Sequence, residues 1–315
     1  MKKFSANLHQ KDQVNVVSTN QFQSSDVDRL EEANIKARTN KNKRWGIVFF
    51  ICTVISVIFL ISLLYQIISV GLPHLNLEFF TNFPSRRPAS AGIKAALAGS
   101  AWVLSLTALI SFPLGVGAAI YLYEYAPKSA LTRFLELNIG NLAGVPSIVY
   151  GMIGLSIFGN FIGFGRTLIT GALTLSLLVL PVIITSSLET LKTVPDSMRQ
   201  NALALGVTKW QMITGVVLPF AAPGIATSCI LAISRGIGEA APLIVAGAVG
   251  IILATPDSLL SQYSVLPIQI YDWTGRPQAE FQAKASAGII VLLGILLFFN
   301  VMAMVIRRKF GKRYE

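Results

Sequence analysis

The stretch ITGVVLPFAAPGIATSCILAISRGIGEAAPLIVAGAVGIIL, residues 213–253, carries just two charged side chains, Arg235 and Glu239. A helix needs about 20 apolar residues to cross the hydrocarbon core of a bilayer, and this run exceeds that length. Placing one charge at bilayer depth costs about 2.5–3.5 kcal/mol on insertion scales. An isolated arginine and glutamate in such a run therefore indicate a functional site inside a membrane-spanning segment.

The composition of the whole chain excludes an ordinary soluble domain. Of its 315 residues 53% are hydrophobic and 13% are charged, and the mean hydropathy is +0.62. These values predict an all-α polytopic membrane protein. Residues 243–283 stay open as a helix extension, a re-entrant piece or a surface segment followed by an outer loop. Six spans are predicted near residues 45–70, 95–123, 134–160, 167–188, 219–245 and 284–306.

The distribution of basic residues predicts the orientation of these spans. With a cytoplasmic N-terminus, nineteen lysines and arginines fall on inside segments and six on outside segments. Because Lys and Arg accumulate on cytoplasmic loops, both termini are predicted to be cytoplasmic. The net charge of +11 is explained by topology and anionic lipid, and no nucleic-acid-binding module accompanies it.

Two parts of the chain carry little chemistry. The polar composition of residues 1–44 predicts a mostly disordered cytoplasmic tail, with a short helix over 26–38 as the alternative. Residues 45–315 are predicted to form the transmembrane domain. Cys52 and Cys229 lie in predicted spans without paired spacing, so neither a disulfide nor a metal site is implied.

A loop over residues 190–218 connects the fourth and fifth spans. Pro195 and Asp196 suit a helix start, and Met198, Ala202 and Leu205 form one helical face. Gly206 fits the left-handed residue that closes a helix. The spacing of Thr208 and Gln211 is that of a capping box that opens the next helix. A helix, a glycine turn and a second helix are predicted.

The spacing of this loop resembles the EAA loop of ABC-importer permeases. That pattern reads E, A, A, three residues, G, nine residues, I, one residue, L, P. Gln200 replaces the carboxylate of the pattern and Asn201 replaces an alanine. The corresponding positions are Gln200, Asn201, Ala202, Gly206, Val216, Leu218 and Pro219.

Four further segments resemble the PstA permease subunits of phosphate importers. They are NIGNLAGVPSIVYGMIGL (138–155), ALALGVTKW (202–210), SRGIGEAAPL (234–243) and VLPIQIYDWTGRPQ (265–278). The resemblance covers residues from about 80 to 306. It implies a MetI-like ABC-importer permease core with six transmembrane helices and a cytoplasmic coupling-helix loop.

The resemblance also implies partners and a transported substrate. The chain would carry phosphate as half of a translocation pathway, beside a PstC-like permease, a PstB-like ATPase dimer and a PstS-like phosphate-binding protein. Gln200, Asn201, Ala202, Leu205 and Gly206 would contact the ATPase. The sequence contains no GxxxxGK[ST] loop. We therefore expect no bound cofactor and no ATP hydrolysis by this chain, since ATP and magnesium would be used by the ATPase.

Two interpretations of the intramembrane charges stay open. If Pro219 and Pro223 break the helix and the fifth span begins near Ile225, Arg235 lies roughly 15 Å into it, near mid-bilayer. Arg235 and Glu239, at i and i+4, could simply neutralise each other. Alternatively, Arg235 serves an anion pathway with Ser234 and Glu239, because a guanidinium donates parallel hydrogen bonds to an oxyanion.

Three other functions remain as alternatives. An ABC permease for another oxyanion or small solute would share the same loop. An ion-coupled secondary transporter is disfavoured because no internal repeat is visible. A passive scaffold or sensor has little need for a mid-membrane arginine.

Overall fold

The computed structural model describes residues 39, 42–43, 45–248 and 250–311, and within these ranges every regular element is a helix. The predicted all-α class is confirmed. The chain divides into two compact units between Tyr65 and Gln66. Apart from residues 39, 42 and 43, the predicted N-terminal tail, with its possible helix over 26–38, lies outside the described residues.

Twelve α-helices follow one another along the described residues. Two of them continue into π-helical turns, Tyr121–Tyr125 after α3 and Leu155–Phe161 after α5, and a third π turn, Ile213–Val217, joins α8 to α9. The helices are α1 (residues 45–71), α2 (Leu77–Thr81), α3 (Lys94–Ile120), α4 (Ala130–Leu142), α5 (Ser147–Gly154), α6 (Leu168–Lys192), α7 (Asp196–Ala204), α8 (Lys209–Met212), α9 (Leu218–Ile237), α10 (Ala241–Val245), α11 (Leu266–Thr274) and α12 (Ala279–Gly311).

Five described helical segments are long and apolar enough to cross a membrane: Trp45–His74, Lys94–Tyr125, Leu168–Lys192, Lys209–Ile237 and Ala279–Lys309. The third predicted span is instead two helices, α4 and α5, bent by 105°. The start of α4 lies beside the loop after α6, since Ala130 and Asp196 line one cavity. The chain after α5 reaches the opposite end of α6, where the Thr170 hydroxyl donates to the Gly165 carbonyl. The pair therefore crosses once, as a broken sixth span.

Proline causes the break between α4 and α5. Pro146 lacks an amide hydrogen, and its ring disfavours the helical conformation for Val145 before it. Pro146 itself is extended, with φ −55° and ψ 133°, and caps α5. The Tyr150 hydroxyl donates to the Leu142 carbonyl across 2.8 Å, which joins the two halves. The break thus leaves an ordered opening within the span.

The fifth span differs from the prediction. The expectation that Pro219 and Pro223 break the helix is wrong, because the helix is continuous from Lys209 to Ile237. Pro219 directly follows the π turn, where the backbone hydrogen-bond pattern changes, and Pro223 lies inside α9 without ending it. The predicted extension to residue 245 is also wrong, since Gly238 ends α9 and α10 is separate.

The central helix of the bundle is α6, which packs against α3, α5 and α9. The segment before α11 inserts between spans, because the Leu266 amide donates to the Ser100 hydroxyl across 2.9 Å. Gly99 and Gly171 leave no room for a Cβ beside Ser264 and Tyr263. Residues 263–274 are therefore tightly packed. The outer loop predicted at the end of residues 243–283 is wrong in part, because Leu266–Thr274 forms the helix α11.

Candidate functional site

A cavity of about 370 Å³ lies beside Arg235. The end of α9, the break between α4 and α5, and the middle of α6 together form its walls. Its lining consists of Leu142, Ala143, Gly144, Val145, Pro146, Ser147, Tyr150, Leu178, Val179, Val182, Ala232, Arg235 and Glu239. The structure thus brings Arg235 and Glu239 together at one opening.

The depth of this cavity follows from its packing on α6. Val179 lies eleven residues after Leu168, where α6 begins, or roughly 17 Å at 1.5 Å per residue. Gly236, next to Arg235, packs against Val179 and Leu175. Arg235 therefore lies level with the middle of α6, although the fifth span does not begin near Ile225 as predicted.

The pairing of Arg235 with Glu239 is loose. Arg235 Nε lies 3.8 Å from Glu239 Oε1, which is too long for a hydrogen bond. Glu239 is not on the helix, because α9 ends at Ile237. In this chain 66% of the Arg235 side chain is exposed, against 22% for Glu239. The guanidinium is therefore open to a further acceptor.

Ser234 takes a different position from its neighbour. The residue is buried at 3% exposure, and the cavity lining does not include it. Its predicted place in the substrate pathway stays a prediction.

The predicted helix–turn–helix of the coupling loop is confirmed. α7 ends at Ala204 with Leu205 as its cap, and Gly206 follows with φ +80°. Thr208 and Gln211 form the predicted capping box, with both reciprocal hydrogen bonds present. The turn thus depends on a residue that tolerates the left-handed region.

The exposed side of this loop differs in part from the prediction. Ala202 is buried, as the predicted apolar face of Met198, Ala202 and Leu205 requires. Leu205 is strongly exposed, so the prediction that it belongs to this face is wrong. Leu205 is the C-cap of α7, with φ −77° and ψ 1°, and the glycine turn follows it directly. Gln200 and Asn201 are exposed too. With Leu203 and Trp210, Leu205 forms an exposed apolar surface.

The residue that sequence reasoning missed is Arg199. It is buried on α7, and its Nε donates to Glu124 Oε1 across 3.1 Å. In the sequence, Arg199 is one of the nineteen basic residues on the predicted inside segments. A signal was available in Glu124, a carboxylate among tyrosines at the end of an apolar span.

A metal centre finds no support in the described part of the chain. No group of three or more His, Cys, Asp or Glu side chains there could hold an ion.

The family of the chain follows from comparison with known proteins. Residues 111–314 match the family described as binding-protein-dependent transport system inner membrane component. That range contains the Arg235 cavity and the coupling loop. The chain belongs to this family. It is a multi-pass membrane permease.

Individual relatives agree with this assignment. The chain is 35% identical to a probable ABC transporter permease protein, YqgI, of Bacillus subtilis, over 81% of this chain and 91% of that one. It is 32% identical to the phosphate transport system permease protein PstA of Yersinia pestis, over 90% of this chain and 98% of that one.

A solved structure shows the fold. The permease resembles a chain of a bacterial alginate ABC transporter solved with its periplasmic protein, with a TM-score of 0.63 and 17% identity. The match covers 86% of this chain and 96% of that one. The predicted ABC-importer permease core is confirmed.

Proposed function

We propose that this permease forms half of the translocation pathway of an ATP-driven phosphate importer. The observation that carries the proposal is the cavity beside Arg235. A loosely paired guanidinium at the depth of mid-α6, with most of its side chain exposed, offers free donors to an anion. Arginine suits a tetrahedral oxyanion because its planar fork stays charged and donates parallel hydrogen bonds.

The rest of the cavity fits the same chemistry. Pro146 and Ser147 place the first turn of α5 on its wall, where the positive end of the helix dipole favours negative charge. Glu239 Oε1 lies 3.8 Å from Arg235 Nε. An incoming anion replaces Glu239 as the partner of the guanidinium. The relative of Yersinia pestis is named for phosphate transport, which favours phosphate among the oxyanions.

The open side of Arg235 points to a partner. A single chain that leaves 66% of a mid-depth arginine uncovered needs a second surface to close the pathway. We assign that surface to a second, PstC-like permease. A PstS-like phosphate-binding protein delivers the substrate from outside, and the alginate transporter of similar fold was solved with such a periplasmic protein.

The coupling loop is the site for a PstB-like ATPase dimer. Gln200, Asn201 and Leu205 are exposed there, whereas Ala202 is buried. Gly206 forms the turn with a positive φ. ATP and magnesium are used by that ATPase, and no cofactor is assigned to this chain.

We further propose that the chain lies in the bacterial inner membrane with the coupling loop and both termini in the cytoplasm, because the basic residues concentrate on those segments. Lys209 and Gln278, both exposed, test this arrangement. In a Cys52→Ser background, Gln278→Cys should react with an impermeant thiol reagent in whole cells, and Lys209→Cys should be shielded. Labelling of Lys209→Cys in intact cells would reverse the orientation.

Uptake by the reconstituted complex tests the cargo. Labelled phosphate should accumulate in proteoliposomes that contain both permeases, the ATPase and the binding protein. Sulfate and molybdate in excess should compete weakly. Strong competition by molybdate would assign the permease to another oxyanion, and uptake that survives ATP depletion would assign it to ion-coupled transport.

A further inference from the structure

Arg199 is a nearly buried cation at the coupling-loop end of the bundle, where the anion pathway makes no use of it. Its side chain is 10% exposed and that of its partner Glu124 is 6% exposed. The two residues lie 75 positions apart in sequence. Glu124 belongs to the π turn that ends the second span. The pair therefore joins α7 to the end of the second span.

All three guanidinium nitrogens of Arg199 are used. Nη1 donates to the Val194 carbonyl at 2.6 Å and to Asp196 Oδ1 at 3.1 Å, and Nη2 donates to the Leu191 carbonyl at 2.8 Å. The last carbonyls of a helix have no partner within that helix, so Arg199 also caps α6.

The plane of the guanidinium is held as well. Its Cζ lies 5.1 Å from the centroid of the Tyr123 ring, over a face that attracts cations. Tyr123 and Glu124 are consecutive residues of the same π turn. Single-turn π segments are rare and often occur at functional sites, where they let a helix bend.

Lysine could not replace these contacts. An ammonium is a point charge on a flexible stem, whereas the contacts of Arg199 require a planar fork that points in three directions. The orientation of α7 relative to the second span is therefore specified by the shape of the arginine and by its charge together.

We infer that Arg199 is a positioning residue, which fixes the coupling helix α7 to the π turn of the second span through Glu124. This inference rests on the proposed function. Movement imposed on α7 by the ATPase then reaches the second span directly, and reaches α6 through the Leu191 carbonyl.

The matched control is a second ion pair at the same end of the bundle. Lys192 Nζ lies 2.7 Å from Glu189 Oε1, but both side chains are exposed and lie on a single helix. Exposed pairs of this kind contribute little. Lys192→Gln and Glu189→Gln remove a charge at the same end without disconnecting two elements.

The first measurement is the number of phosphate ions transported per ATP hydrolysed by the reconstituted complex. Arg199→Lys and Glu124→Gln should lower this ratio about tenfold, the scale of a typical coupling between sites. Complex yield should be kept, and the control variants should match the parent. A parental ratio in both Arg199→Lys and Glu124→Gln overturns the inference. So does a loss that follows complex yield alone.

The second measurement does not depend on the cargo. A nitroxide at Ser197→Cys, an exposed position of α7, reports helix mobility in the Cys52→Ser background. Arg199→Lys and Glu124→Gln should add a mobile component to the spectrum that Lys192→Gln lacks. Should Arg199→Lys fail to assemble, Glu124→Gln, which keeps the carbonyl contacts, gives the answer.

The two measurements separate the claims. If the parent complex carries no phosphate but both variants show the mobile component, the phosphate assignment is wrong and the positioning role of Arg199 is supported. A parent that carries phosphate, with unchanged spectra in Arg199→Lys and Glu124→Gln, removes the positioning role alone.

Discussion

Two arginine–glutamate pairs in this permease differ in almost every physical respect. Arg235 and Glu239 are four residues apart, 3.8 Å from each other, and Arg235 is mostly exposed. Arg199 and Glu124 come from distant parts of the chain, lie 3.1 Å apart and are nearly buried. A loosely held guanidinium can exchange its partner, whereas one with every nitrogen bonded cannot. The first pair suits transport of an anion and the second suits a fixed joint.

The largest expected effect comes from removing the open guanidinium. Arg235→Gln should lower labelled-phosphate uptake by at least about 100-fold, because the charged hydrogen-bond donor to the anion is lost. Complex yield should stay at the parental level, since the pair with Glu239 is already loose. Near-parental uptake in this variant would remove Arg235 from the pathway.

Removal of the bonded guanidinium should act on stability instead. Arg199→Ala removes the ion-pair partner of Glu124 and the side-chain donors to the Leu191 and Val194 carbonyls, and breaking a buried pair costs about 3–5 kcal/mol. The thermal midpoint and yield of the purified complex should fall clearly, while Arg235→Ala in the same assay should stay near the parent. Equal midpoints for the two alanine variants would erase the distinction between the pairs.

The coupling turn gives a smaller effect. Gly206 has φ +80° and open space where a Cβ would lie, so substitution there strains the backbone without a clash. Gly206→Val should cost about 1–3 kcal/mol locally and weaken ATPase docking or coupling, with the membrane domain folded. Gly206→Asn is the control, because asparagine tolerates this conformation. Co-purification with the ATPase measures the difference, and equal behaviour of both variants would contradict the role of the turn.

Local signals in the sequence predicted local structure well. Gly206, Thr208 and Gln211 gave the turn and the capping box because each depends on neighbours within three residues. The spans followed from length and hydropathy, apart from the bend at Pro146 and both ends of the fifth span. Arg235 stood out because it is isolated in an apolar run.

Features that depend on distant contacts were not predictable in the same way. Arg199 lies in a basic loop where a lysine or arginine is unremarkable, and its burial requires Glu124, 75 residues earlier. The continuous helix through Pro219 depends on a π turn that leaves no pattern in composition. The i, i+4 spacing of Arg235 and Glu239 predicts that both lie on one helix. Glu239 does not, because α9 ends at Ile237.

The most direct test of the role of the open pair is the double variant Arg235→Gln with Glu239→Gln, compared with each single variant. Complex yield and labelled-phosphate uptake are measured for all three in proteoliposomes. If Arg235 serves the anion, the double variant assembles at the parental yield and still carries no phosphate. If the two charges merely neutralise each other, removing both restores transport, and a transporting double variant would contradict the account.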